Sequence, residues 1–328
     1  MLRLGTRAST LATTQSAWVA RQLVTGGEGE ADGFELIHIS THGDRDRQSP
    51  LTQIGGTGVF VSAVREALLA GEVDVVVHSL KDLPTTPPDG IRLAAVPVRE
   101  DPSDALITRE GIGSLEEIPQ GGTVGTGSPR RAAQLRLMRP DLDVRPIRGN
   151  IDTRMRYAES GEMDAVVLAT SGLVRLGLAE RIAQRFDPHV FLPAPAQGAL
   201  AVEVRDDFQE GAVEAAGADG SLGSIAHSLS VLDDRETRAA AAAERAVLRA
   251  LEAGCSAPVA TFAGVGTSGL LTLKAGVYGR NSHIIREGAV SLDDAFTGNH
   301  EQSATQLGRD LAAEMLADGA KGLLAEEL

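Results

Sequence analysis

The run Val75-Val76-Val77-His78-Ser79-Leu80-Lys81-Asp82-Leu83-Pro84 places four functional side chains directly after a β-branched apolar stretch. Such a stretch reads as a strand buried on both faces, and α/β sheets place their ligand sites beyond strand ends. Lys81 is one of three lysines, with Lys274 and Lys321, and the only one in the first 273 residues. Composition alone therefore does not put it here. A partly desolvated Asp82 would act as a general acid or base, and its carboxylate would stabilise a cationic intermediate. The plain alternative is a polar strand end carrying two solvated charges.

A second candidate is cationic. Eight arginines lie between Arg130 and Arg156, against Asp141, Asp143 and Asp152. Arg130 and Arg131 open a helical pattern, where cations oppose the helix dipole; an anionic ligand seated there would explain them. Arg148-Gly149-Asn150, Arg154 and Arg175 are candidates to converge on the same place. Guanidinium forks grip carboxylates or phosphates bidentately, so several of them imply a polyanion. Arg136 and Arg139 fit a solvated helix face equally well.

Cys255 is the single cysteine, which rules out an internal disulfide and a Cys-based zinc site. Its place just past a helical pattern ending at Gly254 should raise its thiol pKa, a poor setting for a turnover nucleophile but no obstacle to a permanent covalent attachment. A small buried hydrophobe is the other reading. Other chemistries find no support. No lysine follows a glycine as a phosphate loop requires, and the seven histidines have no metal-ligand spacing. The net charge of −14 over 328 residues argues against nucleic acid and anionic membranes as partners. No apolar run approaches the ~20 residues of a membrane span. The N-terminus lacks the apolar centre of a signal peptide, so a cytoplasmic location is expected.

These residues need elements to hold them. Gly71-Glu72-Val73-Asp74-Val75-Val76-Val77 recurs ninety positions on as Gly161-Glu162-Met163-Asp164-Ala165-Val166-Val167. Gly5-Thr6-Arg7-Ala8-Ser9 is echoed by Gly125-Thr126-Gly127-Ser128, each after a short apolar stretch and before a helical pattern. Two similar α/β lobes in tandem are expected, with a cleft between them and helix N-termini at Ser9 and Ser128 suited to anions. The polar, then Gly-rich segment 42–60 reads as a lid, and Pro193–Gly198 as a hinge returning the chain to a strand over 199–204 of the first lobe. The acidic, Lys- and Arg-free segment 206–234 reads as a linker or surface excursion. Asp233 to Gly254 reads as a helix with Asp233 and Glu236 as a capping box. Strands near 271–277 and a helix over 304–316 suggest a small α/β third domain. The expected division is 1–98 with 197–222, then 99–196, then 223–328.

Taken together, the motifs resemble the porphobilinogen deaminase (hydroxymethylbilane synthase) family. The resemblance rests on Gly5–Ser9, the lid run Gly55-Gly56-Thr57-Gly58-Val59-Phe60, His78–Asp82, Gly125–Arg131, Arg148–Asn150, Pro195–Gly198, and Ala243-Glu244-Arg245-Ala246 leading to Gly254-Cys255. It implies two periplasmic-binding-protein-like lobes with a hinge plus a smaller α/β C-terminal domain. The implied reaction joins four porphobilinogen units head to tail with loss of ammonia at each step. It also implies a dipyrromethane cofactor in thioether linkage to Cys255, Asp82 as the catalytic acid, and no metal or nucleotide. Lys81, Arg7, Arg130, Arg131, Arg148, Arg154 and Arg175 would bind cofactor and substrate carboxylates. Ser9, Ser79, Thr126, Ser128 and Gly149 would add to that site, with Gly55, Gly56, Gly58 and Phe60 in the lid; a monomer is implied. Departures from the family pattern are Gln53 and Thr57 in the lid, Gly127 for a frequent serine, Ala253 for a glycine, and Ala257 for a β-branched residue. The competing class is a non-catalytic anion-binding protein, which explains the repeat and the arginines but leaves Asp82 and Cys255 without a task.

Overall fold

A computed structural model describes residues 1–25, 33–40, 61–208, 214–216, 222–254, 257–292 and 300–326. The chain begins β1 (Leu2–Thr6), α1 (Thr10–Thr25), β2 (Phe34–His38), α2 (Ser62–Leu69), β3 (Val75–Ser79), β4 (Ile91–Ala95). It continues β5 (Asp104–Thr108), β6 (Thr123–Gly125), α3 (Pro129–Met138), β7 (Asp143–Arg145), α4 (Ile151–Glu159), β8 (Ala165–Ala169), α5 (Thr170–Arg175), β9 (Gln184–Arg185). Then follow β10 (Leu200–Arg205), β11 (Glu214–Ala216), β12 (Leu222–Ser224) and α6 (Ile225–Leu232). The last part is α7 (Arg235–Ala250), β13 (Val259–Val265), β14 (Leu270–Tyr278), β15 (His283–Ser291), α8 (His300–Ala317) and α9 (Ala320–Leu324). Packing groups Met1–Arg99 with Ala199–Arg238 in one unit, and Glu100–Gly198 with Ala239–Leu328 in a second.

The first unit holds a mixed sheet ordered β2-β1-β3-β10-β4, the second a mixed sheet ordered β7-β6-β8-β5-β9. β1 and β6 each lie parallel to both neighbours, and β10 and β5 run antiparallel beside β3 and β8 respectively. The second unit adds a three-stranded antiparallel sheet, β13-β14-β15, carrying α8. Two α/β lobes, each built on a five-stranded mixed sheet, plus a smaller C-terminal α/β part are observed, as the sequence leads one to expect.

The repeat is structural. Asp74 closes a two-way clamp on β1: its Oδ2 accepts the Arg3 N–H at 3.0 Å, and its own N–H donates to the Arg3 carbonyl at 2.8 Å. Ninety residues on, Asp164 accepts the Thr123 N–H at 2.8 Å and donates to the Thr123 carbonyl at 3.0 Å. Both carboxylates also take an arginine, Arg3 and Arg109 respectively. The Gly-Glu-x-Asp turn thus docks β3 against β1 and β8 against β6 by side-chain capping of backbone groups the ladder leaves open.

Val75, Val77 and Val202 pack with Leu4, Val19 and Leu23 on one face of the first sheet. In the second sheet, Val124, Leu135 and Val167 pack on one face, and Ile147, Met155, Val166 and Leu168 on the other. The C-terminal core gathers Val247 and Leu251 of the α7 region with Leu273, Val277, Leu311 and Met315. Ala133 of α3, Leu192, Ala260 and Tyr278 join that sheet to the rest of its unit.

Two local expectations are corrected. The segment 206–234 is not all linker: β12 leads into α6, whose Ile225 and Leu229 are buried in the first unit's core. Nor does Asp233 cap α7. The Thr237 N–H donates to Asp234 Oδ1 at 2.8 Å, while Asp233 accepts the Val96 N–H at 2.7 Å and pairs with Arg238. One residue's shift frees Asp233 to tie the helix entry to the chain after β4. Among the described residues, no helix is long and apolar enough to cross a membrane.

Candidate functional site

In the first unit, β3 ends at Ser79 and tightens into a single 3-10 turn, Leu80–Asp82. Leu80 and Leu83 are each 2% exposed and anchor the turn on both sides of the exposed Asp82. The Leu80 N–H donates to the Ala199 carbonyl at 3.0 Å, and the Leu83 N–H to the Leu80 carbonyl at 3.2 Å. Asp82, Ser79 and His78 share a pocket with Arg7, Ser9 and Gln15. Its apolar lining comes from Leu11, Ala12, Val61, Val64 and Val77. Four expected residues from three separate segments therefore meet: Arg7 and Ser9 before α1, Ser79 at the end of β3, and Asp82. Lys81 is half-exposed and does not line this pocket. Ser9 also receives the Ala12 N–H at 3.3 Å, so it caps α1 where backbone donors are unused.

Two pocket residues had no role assigned from sequence. Gln15 is buried and its Nε2 lies 3.2 Å from Ser79 Oγ, fixing that hydroxyl from α1. Its signal was available: Leu11, Gln15 and Val19 share one helix face, and an amide on an otherwise apolar stripe needs a polar partner. His78 is buried, with Nε2 3.5 Å from Glu203 Oε2. Desolvation of the ring outweighs the pull of that carboxylate and lowers its pKa to about 4, so the imidazole is neutral near pH 7. Glu203 is meanwhile held bidentately by Arg65 of α2 at 2.9 and 2.6 Å.

In the second unit, the expected arginines divide. Arg130 and Arg131, at the start of α3, are buried and converge on Asp104, which is fully buried at the start of β5. Arg130 Nη1 is 2.7 Å from Asp104 Oδ2, and Arg131 reaches Oδ1 through Nε at 2.9 Å and Nη2 at 2.7 Å. Arg130 also donates to the Leu192 carbonyl and Arg131 to that of Val167. The two guanidiniums hold the Asp104 carboxyl well below the usual carboxylate range against the cost of burial. Burial in turn pushes Arg130 down from its ordinary value. Nothing in the sequence marked Asp104 beyond an acid opening an apolar strand.

Arg139, open to a helix-face reading, pairs with Asp141 and donates to the Leu115 and Ile118 carbonyls, so it pins a loop. Arg148 is exposed beside Gly149, whose φ of +110° and a would-be Cβ 2.6 Å from Thr153 Cγ2 admit only glycine. Asn150 caps α4 by accepting the Thr153 N–H at 2.9 Å. Half-buried Arg154 comes near the loop 126–128, its Nη2 lying 3.9 Å from where a Gly127 Cβ would stand. Thr126 Oγ1 accepts the Ser128 N–H at 3.2 Å, and Ser128 Oγ caps α3 through the Arg131 N–H at 3.4 Å. Arg175, its pKa lowered by burial, donates to the Gly198 carbonyl at 2.6 Å. Cys255 and the lid residues Gly55, Gly56, Gly58 and Phe60 lie outside the described residues. Among the described residues, no cluster of His, Cys, Asp or Glu could hold a metal ion.

Comparison with known proteins places the chain. The family profile described as "Porphobilinogen deaminase, dipyromethane cofactor binding domain" matches residues 2–212, and "Porphobilinogen deaminase, C-terminal domain" matches 239–317. The chain is 49% identical over 324 residues to a porphobilinogen deaminase of Acidothermus cellulolyticus, covering 99% of this chain and 91% of that one. It is 49% identical over 326 residues to that of Thermobifida fusca, covering 99% and 96%. Among solved structures, it is similar at TM-score 0.36 and 13% identity to a nutrient binding protein from Burkholderia cenocepacia bound to methionine, covering 62% of this chain and 85% of that one.

Proposed function

The chain belongs to the porphobilinogen deaminase family, and from that membership we propose which of its residues bind, orient and protonate the substrate. The enzyme condenses four porphobilinogen molecules head to tail, releasing ammonia at each step, to give hydroxymethylbilane. The observation that carries the residue assignment is the meeting of Asp82 with Arg7, Ser9 and Ser79 in one half-apolar pocket.

Porphobilinogen is a flat pyrrole bearing an acetate, a propionate and an aminomethyl group. Leu11, Val61 and Val64 offer its ring an apolar surface, while Arg7, Ser9 and the N-terminus of α1 take a carboxylate. Asp82 gives a proton to the departing amine, the C–N bonding pair leaves with ammonia, and the pyrrole nitrogen supplies the electrons that fill the gap. The Asp82 carboxylate then accepts the N–H of the resulting cation and stabilises it. The anchored 3-10 turn holds that carboxylate in one place through each round. Arg130, Arg131, Arg148, Arg154, Arg175, Lys81, Thr126, Ser128 and Gly149 are assigned to carboxylates of the cofactor and the growing chain.

The donor set also suits the dipyrromethane of this family: guanidiniums and hydroxyls for its carboxylates, and a Gly149 backbone that no Cβ could replace. Bound through Cys255, that group supplies the free pyrrole carbon that receives the first unit. We further assign Gly55, Gly56, Gly58 and Phe60 to a lid and retain three domains, 1–98 with 197–222, 99–196 and 223–328. The enzyme is taken to be a cytoplasmic monomer that needs no metal, nucleotide or nucleic acid. Intact mass under denaturing conditions, beside Cys255→Ala, tests the linkage. Two added pyrrole units, absent from the variant, are expected. The bare sequence mass, with no adduct growing and no ammonia appearing on addition of porphobilinogen, would sink the assignment of Cys255 and Asp82.

A further inference from the structure

The strap Pro193–Gly198 bends where few chains do. Ala196 has φ +61°, unusual for a residue with a Cβ, and Gly198 has φ +91°. Bonds on either side of Gln197 hold this shape. The Ala196 N–H donates to Glu244 Oε2 at 2.5 Å, and Arg175 Nη2 donates to the Gly198 carbonyl at 2.6 Å. Strain of this kind, held in place from both ends, marks functional segments. Between the two bends the Gln197 side chain is fully buried and points its amide at the arginine cluster. Its Nε2 lies 2.8 Å from Asp104 Oδ1 and 2.8 Å from the Pro102 carbonyl, and its Oε1 is 3.4 Å from Arg131 Nη2.

Charge is the telling point. Asp104 is one carboxylate shared by two guanidiniums, and the charges that act on it are Arg130 and Arg131. This hydrogen-bonded cluster keeps one positive charge that no side chain within it neutralises. A glutamate has the same length as Gln197, but it would set a carboxylate oxygen against Asp104 Oδ1 and the Pro102 carbonyl, where the amide now donates, and would cancel that charge. Buried cations without a counter-ion are costly and are tolerated where a ligand supplies the anion.

We propose that Gln197 is a positioning residue whose neutral amide ties the strap to Asp104 and Arg131 while leaving one positive charge of the arginine pair for carboxylates of the substrate chain. The proposal rests on the assignment of Arg130 and Arg131 to carboxylate binding. Gln197→Glu and Gln197→Met separate charge from packing: both remove the amide donor, the first adds an anion and the second stays neutral.

The test uses mass-verified, cofactor-loaded enzyme, with steady-state kinetics on porphobilinogen and a thermal midpoint for each variant. Gln197→Glu is expected to lower the thermal midpoint, because the donor to Asp104 is lost, and to raise KM about tenfold, the scale of one charge-assisted contact, with kcat within about twofold. Gln197→Met should lower the midpoint and raise KM less. Equal KM changes in both variants, tracking the midpoint, would reduce Gln197 to a strap-packing residue and overturn the proposal. Arg131→Gln locates a failure. If it raises KM and Gln197→Glu does not, the Gln197 role alone falls; if neither moves KM, the carboxylate assignment beneath it falls.

Discussion

The ends of β3 and β8 occupy the same place in two copies of one supersecondary plan, yet their chemistry is opposite. With the ninety-residue offset, His78, Ser79, Lys81 and Asp82 correspond to Leu168, Ala169, Ser171 and Gly172. The first unit concentrates its reactive side chains at the strand end. The second leaves that end uncharged, and moves its charge one strand over to Asp104 on β5 and to the start of α3. What stays common is the frame: the aspartate clamp, the parallel pair, and a serine capping the helix after the first strand. The difference shows that the frame does not dictate the chemistry, because side chains at strand ends and helix starts change without touching the clamp.

The first way to break the comparison is Asp82→Asn. With the turn anchored by Leu80 and Leu83, the fold should persist and kcat should fall on the order of 10²–10⁴-fold, with KM little changed. Ammonia release measured across a substrate titration decides it, and a loss below about threefold would remove Asp82 from proton transfer. In the second unit, Asp104→Asn strips two buried guanidiniums of their carboxylate. It should cost about 3–5 kcal/mol, read as a drop in the denaturant midpoint. A change under ~1 kcal/mol would mean the arginines find other partners.

Acid should act on the two units differently. An unfolded imidazole titrates near 6.5, whereas buried His78 does so at about 4, so between these values the unfolded chain binds the extra proton. His78's share of stability is therefore full above pH 6.5, falls by about 3 kcal/mol as the pH drops to 4, and then levels off. His78→Leu, which installs the residue of the second unit, should flatten this slope. Asp104, held low by its arginines, works at more acid pH: its contribution is intact above the ordinary carboxylate range and is lost only as the pH falls through its depressed value. Unfolding curves from pH 7 to 4 for wild type and His78→Leu should part only below 6.5. The smallest effect is shared by the units: Ser9→Ala and Ser128→Ala should each cost about 1 kcal/mol through loss of a helix cap, and a marked inequality would show that one serine does more than cap.

Much of this was legible because short-range rules govern it. The repeat, the glycine turns before β3 and β8, and the serine caps follow from local pattern. The strand expected to return to the first lobe over 199–204 is β10, though its place beside β3 was not legible. What sequence hid was pairing over distance. Asp104 meets Arg130 and Arg131 across 26 and 27 positions, and Gln197 meets Asp104 across 93. No local spacing signals such contacts. Arg130 and Arg131 therefore read as facing an anionic ligand, although both are interior and paired with Asp104, and Arg139 read as a solvated helix face, although it pins a loop. Gly127 sits in the same blind spot: a Cβ there would stand 2.7 Å from the Ile147 carbonyl, so this backbone has no room for the serine frequent in the family.

The aspartate clamps have a further use. Each holds one amide N–H at the far end of the sheet from the chemistry, Arg3 in one unit and Thr123 in the other, on an aspartate carboxylate, while the carbonyl of the same residue accepts the aspartate's own N–H. These two protons should be among the slowest to exchange with deuterium, and each opens only when its own unit does. The duplicated turn thus provides a matched pair of clocks by which loosening of one half can be timed against the other while the enzyme works.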